Sequence, residues 1–340
     1  MHKKILALIL FLVYLFPQTS VQAQGIDLSV SPPIFEIELT PPAKAEVEET
    51  IVLTNNGDSQ LDLTLQMRQF IAGKDNNGTI EYLPEDEPIR GSNPNILERI
   101  SVLDEASEKI ETVTLPPRSE KKLSLSVSIP KDEPPSDYYF SLVFLSVAED
   151  GKNNQTTTSG GVGINVLLSI GPKSPSTAIV EEFSTQKFTN SGPVPFTTRI
   201  KNTSKHFLYP KGQIIIHNMF GQTVGNVELI PVNILANTTR AIPSREQVVF
   251  EANKEANPED LDESVLEKLS SINPVSIWNE KFLLGPYTAT LRLALTDEGP
   301  LIEKRIWFFA LPIQLIIGVI IAVLSVLIVR SRLKLREKRS

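Results

Sequence analysis

The chain has 340 residues, no cysteine, and 33 Lys and Arg against 40 Asp and Glu, a net charge of −7. Its 41% apolar content is enough to build a core, and at about 100–200 residues per domain the length suits two domains. The missing cysteine excludes a disulfide scaffold, a thiol nucleophile, a Cys-based metal site and a lipid anchor through an N-terminal cysteine.

The N-terminus reads as a secretory leader, residues 1–23. Lys3 and Lys4 precede the apolar run Ile5 to Phe16, Pro17 breaks it, and Val21-Gln22-Ala23 has the small–x–small cleavage pattern. The run is short for a bilayer span, which takes about 20 apolar residues.

Residues 24–171 read as a first β-sandwich. Val47 to Thr54 is a strand ended by the turn cluster Asn55-Asn56-Gly57-Asp58. Leu61, Leu63, Leu65 and Met67 alternate with polar residues, as do Leu123, Leu125, Val127 and Ile129, and Ile164, Val166, Leu168 and Ile170. Such alternation marks strands with one buried and one solvated face. Tyr139 to Val147 is nearly all apolar and predicts a central strand, while residues 92–110 predict a short helical insertion.

Residues 172–176, with two prolines, read as a linker, and 177–306 as a second sandwich. Its strands are Phe196 to Ile200, Gln213 to His217 with a turn at Phe220-Gly221, Tyr287 to Leu295, and a last one over Ile302 to Ile306. Residues 257–272 predict a helix: Asn257 caps it, Pro258 fits its first position, and Leu261, Val265 and Leu269 make one apolar stripe. The fold class is therefore all-β, two tandem immunoglobulin-like sandwiches. The disulfide and partner Trp usual in antibody domains are not expected, so packing alone must hold the cores. Tyr138 or Tyr139 and Tyr287 stand where a tyrosine corner would, with simple core packing the alternative.

Trp307 to Val329 has no charge and predicts one transmembrane helix, about 34 Å long at about 1.5 Å per residue. The basic tail 330–340 then lies in the cytoplasm by the positive-inside rule. Two basic residues fall in the leader and six in the tail, with one acid, Glu337. Residues 24–306 thus carry 25 basic against 39 acidic groups, net −14, which excludes a nucleic-acid-binding role for that part.

Catalytic and metal motifs do not emerge. His206 and His217 are eleven apart with no further ligand pattern, and neither GxSxG nor SxxK occurs. The acidic groups Asp132-Glu133 and Glu85-Asp86-Glu87 lie beside prolines in loops. Asp75 to Ile80 resembles the centre of a calcium loop, but its first and twelfth positions would be Gly73 and Pro84, so a polar hairpin tip is the better reading. Ser159 to Gly163 is glycine-rich, yet a strand follows it and no GK[ST] is present. Asn77, Asn154, Asn202 and Asn237 head Asn-x-Ser/Thr triplets, a pattern common by chance.

Several stretches together are similar to bacterial cell-surface proteins of the WxL-interacting type. They are Ile26 to Pro32, residues 47–66, 75–82 and 114–130 in the first domain, and 211–229, 234–242 and 285–295 in the second. The resemblance implies a membrane-held adaptor whose first domain contacts peptidoglycan and whose second contacts a partner or host protein. No binding residue carries over, because these are turn-and-strand patterns. The expectation is a non-enzymatic, single-pass surface protein without cofactors, its bulk extracellular, that binds cell-wall glycan or another surface or host protein. The alternative is a subunit or assembly chaperone of a membrane-associated surface complex. A wall-polymer hydrolase is the less favoured third reading.

Overall fold

The computed structural model describes residues 27–84, 86–146, 160–172, 175–245, 274–296 and 299–337. The expected leader and the helix expected at 257–272 lie outside the described residues.

The first ten strands are β1 (Leu28–Ser31), β2 (Ile34–Leu39), β3 (Glu46–Asn55), β4 (Leu61–Ala72), β5 (Ile80–Tyr82), β6 (Ile100–Leu103), β7 (Thr112–Leu115), β8 (Ser119–Ser128), β9 (Ser136–Ser146) and β10 (Gly161–Ile170). One sheet has the order β1-β3-β8-β6, the other β2-β10-β9-β4-β5 with β7 also on β4. The first strand is split: β1 pairs antiparallel with β3, then β2 crosses to the other sheet and pairs parallel with β10. With the two-layer order this is an immunoglobulin-like sandwich. The alternating apolar residues meet between the sheets, where Ile51, Leu53, Leu125, Phe140, Phe144 and Val166 are buried. Strand β9 is central, as its continuous apolar run requires. The helical insertion shrinks to one 3₁₀ turn, Ile96–Arg99, which buries Ile96 and leads directly into β6.

The second sandwich repeats the plan with β11 (Ala178–Ser184), β12 (Phe188–Thr189), β13 (Val194–Asn202), β14 (Lys211–His217), β15 (Thr223–Glu228), β16 (Thr239–Ala241), β17 (Ser276–Trp278), β18 (Gly285–Ala294) and β19 (Leu301–Ala310). The five-stranded sheet is β12-β19-β18-β14-β15, and β12 pairs parallel with the last strand as β2 does in the first sandwich. In the facing sheet β11 flanks one side of β13, while β16 and β17 share the other. Contrary to the sequence expectation, a core tryptophan is present. Trp278 is buried, edge-on to Tyr287 at 5.6 Å and to Phe308 at 6.4 Å.

The boundary expected at Trp307 moves. Strand β19 runs on to Ala310 and pairs with β18 along its whole length. Phe308 is fully buried beside Phe196 and Tyr287, so it completes the sandwich core and lies outside any span. The apolar run conceals this, because apolarity without charge suits a buried strand end as well as a helix. Pro312 marks the real change, and α1 (Ile313–Glu337) follows. Its stretch Ile313–Arg330 is long and apolar enough to cross a membrane, and none of it is buried against the rest of the chain.

Candidate binding edge and domain joint

Two equivalent asparagines brace the sandwiches. Asn55 ends β3, and its Nδ2 donates to the carbonyls of Ser59 (2.8 Å), Leu115 (3.2 Å) and Pro116 (2.9 Å), while Oδ1 accepts from Gly57 N. Asn202 ends β13, and its Nδ2 donates to His206 O (2.9 Å), Ile234 O (2.9 Å) and Leu235 O (3.2 Å), while Oδ1 accepts from Ser204 N. Asn202 is fully buried, so its Asn-x-Ser triplet is structural. The triplet preceding each loop, Leu53-Thr54-Asn55 and Ile200-Lys201-Asn202, carried the signal for this duplication.

The loop that Asn202 anchors forms part of the joint between the domains. Asp137, at the start of β9, is almost fully buried and reaches the second sandwich. Its Oδ1 faces His206 Nδ1 at 2.6 Å, and its Oδ2 accepts from Phe207 N (2.6 Å) and from Tyr139 Oη (2.6 Å). Tyr139 Oη in turn accepts from Ala236 N of the second domain, and Ser169 Oγ stands 2.9 Å from His206 Nδ1. Burial, with the Asp137 carboxylate beside it, pushes the Tyr139 phenol far above its ordinary value. Phe70 and Leu167 of the first domain bury Phe207 of the second, and Phe70 stacks on Tyr139.

The hairpin tip joining β4 and β5 completes this joint. Asp75 Oδ1 accepts from Asn77 N and Thr79 Oγ1, and Asn76 adopts a left-handed φ of 59°. This is the polar tip expected in place of a calcium loop. It docks on the second domain, where Ala241 N donates to Asn76 O at 2.8 Å. Gly78, at a left-handed φ of 93°, lies against the Arg240 guanidinium, which a Cβ there would displace. The cleft left between the domains, lined by Phe70, Asn165, Leu167, Asn233 and Arg240 among others, has room for about 70 Å³. Small-molecule sites run to about 300–1,000 Å³, so it suits a few waters.

The remaining residues singled out from the sequence do not converge. His206 belongs to the joint, whereas His217 ends β14 at a distant sheet end. No group of three metal-ligating side chains occurs among the described residues. Glu87 pairs with Arg90, and Glu133 accepts from Asn93. Ser159 lies outside the described residues. Tyr287 Oη accepts from Leu284 N, three residues upstream, as a tyrosine corner does, and Tyr138 Oη accepts from Asn93 N.

One sheet edge is exposed in an unusual way. Strand β2 pairs with β10 only from Asn165 to Ile170, so Gly161 to Ile164 have no strand on that side among the described residues. Strand β1 passes close to β10 but pairs with β3. Asn165 N donates to Pro33 O on the β2 side, while Gly160 O accepts from Ser146 N on the β9 side. Backbone groups alternate along a strand, so Gly161 and Gly163 aim their N–H and C=O at the unpaired side. Proteins guard free edges with charge, proline, bulges or short strands. Strands β1, β5 and β6 are short, β11 carries a bulge between Val180 and Glu182, and Lys304 of β19 reaches inward to Val180 O. Gly161-Val162-Gly163-Ile164 has none of these guards.

The site and fold define an all-β protein of two tandem immunoglobulin-like sandwiches with a terminal apolar helix. No protein-family model matches the chain, and no curated protein matches it. Among solved structures, the class 5 fimbriae chaperone CfaA is similar over 84% of this chain and 100% of its own, at 11% identity and a TM-score of 0.36. The CsuC–CsuE chaperone–tip adhesion subunit pre-assembly complex of Acinetobacter baumannii gives 84% and 99%, at 10% identity and 0.32. A PapD-like domain of human CEP192 gives 45% and 91%, at 12% identity and 0.27. At such scores these likenesses do not bear on what this chain binds.

Proposed function

We propose that this chain is a non-catalytic, membrane-tethered extracytoplasmic protein that binds a polypeptide partner by adding a strand of that partner to β10. It would serve as a subunit or assembly factor of a surface complex, held by α1 with its C-terminus in the cytoplasm. The unpaired backbone of Gly161 and Gly163 carries this reading, because main-chain pairing needs N–H and C=O groups that no described strand already uses, and a partner strand would enter where β1 passes without pairing to β10. The layout of the WxL-interacting resemblance, two outer sandwiches and a terminal span, fits the same role. A glycan platform on this first sandwich would instead need a bare aromatic face there. Tyr82, the exposed ring on the outer side of this sandwich among the described residues, has the Arg68 guanidinium 5.2 Å over it.

The test is a photo-crosslinking residue in place of Tyr82, an exposed side chain whose hydroxyl lies beside Gly163, in whole cells, with and without Gly163→Pro. Proline removes the outward N–H, which no described strand uses, so the fold should survive with an unchanged melting temperature. The expected result is a discrete polypeptide adduct lost in the proline variant. Adducts unaffected by the proline, or retention of the outer domains on purified wall sacculi with no polypeptide adduct, would refute strand addition.

A further inference from the structure

We propose that the end of the second sandwich next to α1 is a second membrane contact, an apolar collar seated in the headgroup region of the bilayer. This rests on the reading of α1 as a span. At that end β14 finishes at His217, β18 starts at Gly285 and β19 finishes at Ala310, in register with one another. The same end carries exposed apolar side chains: Phe188 (47%), Met219 (51%), Phe220 (77%), Phe282 (57%), Leu284 (49%) and Trp307 (67%). Nothing among the described residues covers them, although most other large apolar side chains of the two sandwiches are buried.

The collar is built and held outward. In the β14–β15 turn, Asn218 Oδ1 accepts from Phe220 N and Gln222 N, Asn218 N donates to Gln222 O, and Gly221 adopts a φ of 76°. That bonding fixes the turn with Phe220 at its tip, while Met219 lies against Gly285. On the neighbouring loop Glu280 Oε1 accepts from Lys281 N and Phe282 N, and Leu283 beside them is buried, so Phe282 and Leu284 project. Phe188 stacks on Phe309 at 6.0 Å.

Position identifies the occupant. Only Leu311 and Pro312 separate β19 from α1, and the three Cα-to-Cα steps from Ala310 to Ile313 reach at most about 10 Å. The uncharged stretch of α1, Ile313 to Val329, has 17 residues, about 26 Å of helix against a hydrocarbon core of about 30 Å. A span slightly short for the bilayer draws its flanking segments into the interface. Aromatic side chains favour that zone, and exposed Lys187 and Lys281 beside Phe188 and Phe282 suit anionic headgroups. The collar would hold the second sandwich at a fixed tilt and, through the Asp137 joint, set the height of the β10 edge.

The chain has no cysteine, so single cysteines at Phe220→Cys, Phe282→Cys and, as a distant control, Ser59→Cys can carry an environment-sensitive dye. The full chain is placed in vesicles of equal parts phosphatidylcholine and phosphatidylglycerol. The expected result is a blue shift at 220 and 282, quenched by lipids labelled near the headgroup and shielded from iodide, with neither change at 59. Dyes at 220 and 282 that behave like the one at 59, in protein that resists carbonate extraction, overturn the collar and leave the span intact. Shielding from iodide without quenching by lipid means that protein, and not lipid, covers the patch, and overturns it too. Release of the chain by carbonate refutes the span itself, and the collar with it.

Discussion

Asn202→Ala is expected to destabilise the second sandwich by about 3 kcal/mol. The two N–H groups of its side-chain amide are shared among three carbonyl oxygens, each hydrogen bond is worth about 0.5–1.5 kcal/mol net in a folded protein, and the loss of Oδ1 also strands Ser204 N in a buried loop. Partial compensation is visible, because Ile234 O still accepts from Leu208 N and Leu235 O from Thr238 N. Asn202→Asp separates hydrogen bonding from packing. It keeps the shape but turns a donor into a carboxylate facing three carbonyl oxygens, so it should be worse than alanine. Urea unfolding followed by Trp278 fluorescence is the assay, since Trp278 is buried in this sandwich whereas Trp307 is already exposed. With a urea slope of about 2 kcal/mol per molar, the midpoint for alanine should fall by about 1.5 M. A shift within error of zero, or an aspartate variant as stable as the alanine one, would refute the reasoning.

Asp137→Ala should loosen the joint while leaving both sandwiches folded, because His206 and Phe207 N lose their acceptor across it. Spin labels at Ser59→Cys and Asn226→Cys should report a broader interdomain distance distribution, and an unchanged one would count against the joint. Alkaline pH offers an independent check on the same contact. Burial raises Tyr139 and Tyr138 in the folded state, so the unfolded chain releases these protons first, at about pH 10. Stability is then full below about pH 10 and falls as the pH rises beyond it. Tyr139→Phe should flatten that fall, and phenolate absorbance showing all tyrosines ionising in the still-folded chain would contradict it.

Strands with a solvated face were legible in the sequence because alternation is a local property. The runs at Leu123 to Ile129 and Tyr287 to Leu295 reappear as β8 and β18 with the expected faces inward. The turns at Asn55 to Asp58 and Phe220-Gly221 were equally local. The end of the second sandwich was not. Phe308 reads as part of a span until β18 is seen beside it, because its role depends on Phe196 and Tyr287, far away in sequence.

Nothing in the residues around Asp137 foretold the joint. A lone carboxylate beside an aromatic pair is ordinary, and only the approach of a loop 69 residues away turns it into a bracket. The edge at Gly161 to Ile164 was likewise written as a glycine-rich stretch, with no sign that β2 would stop short of it. Composition, alternation and an uncharged terminal run sufficed to determine that this is a β protein with an apolar rod at its end. Which backbone groups stay unpaired, which aromatics remain outside and how the sandwiches lock together were decided only in three dimensions, because each depends on what a distant segment covers.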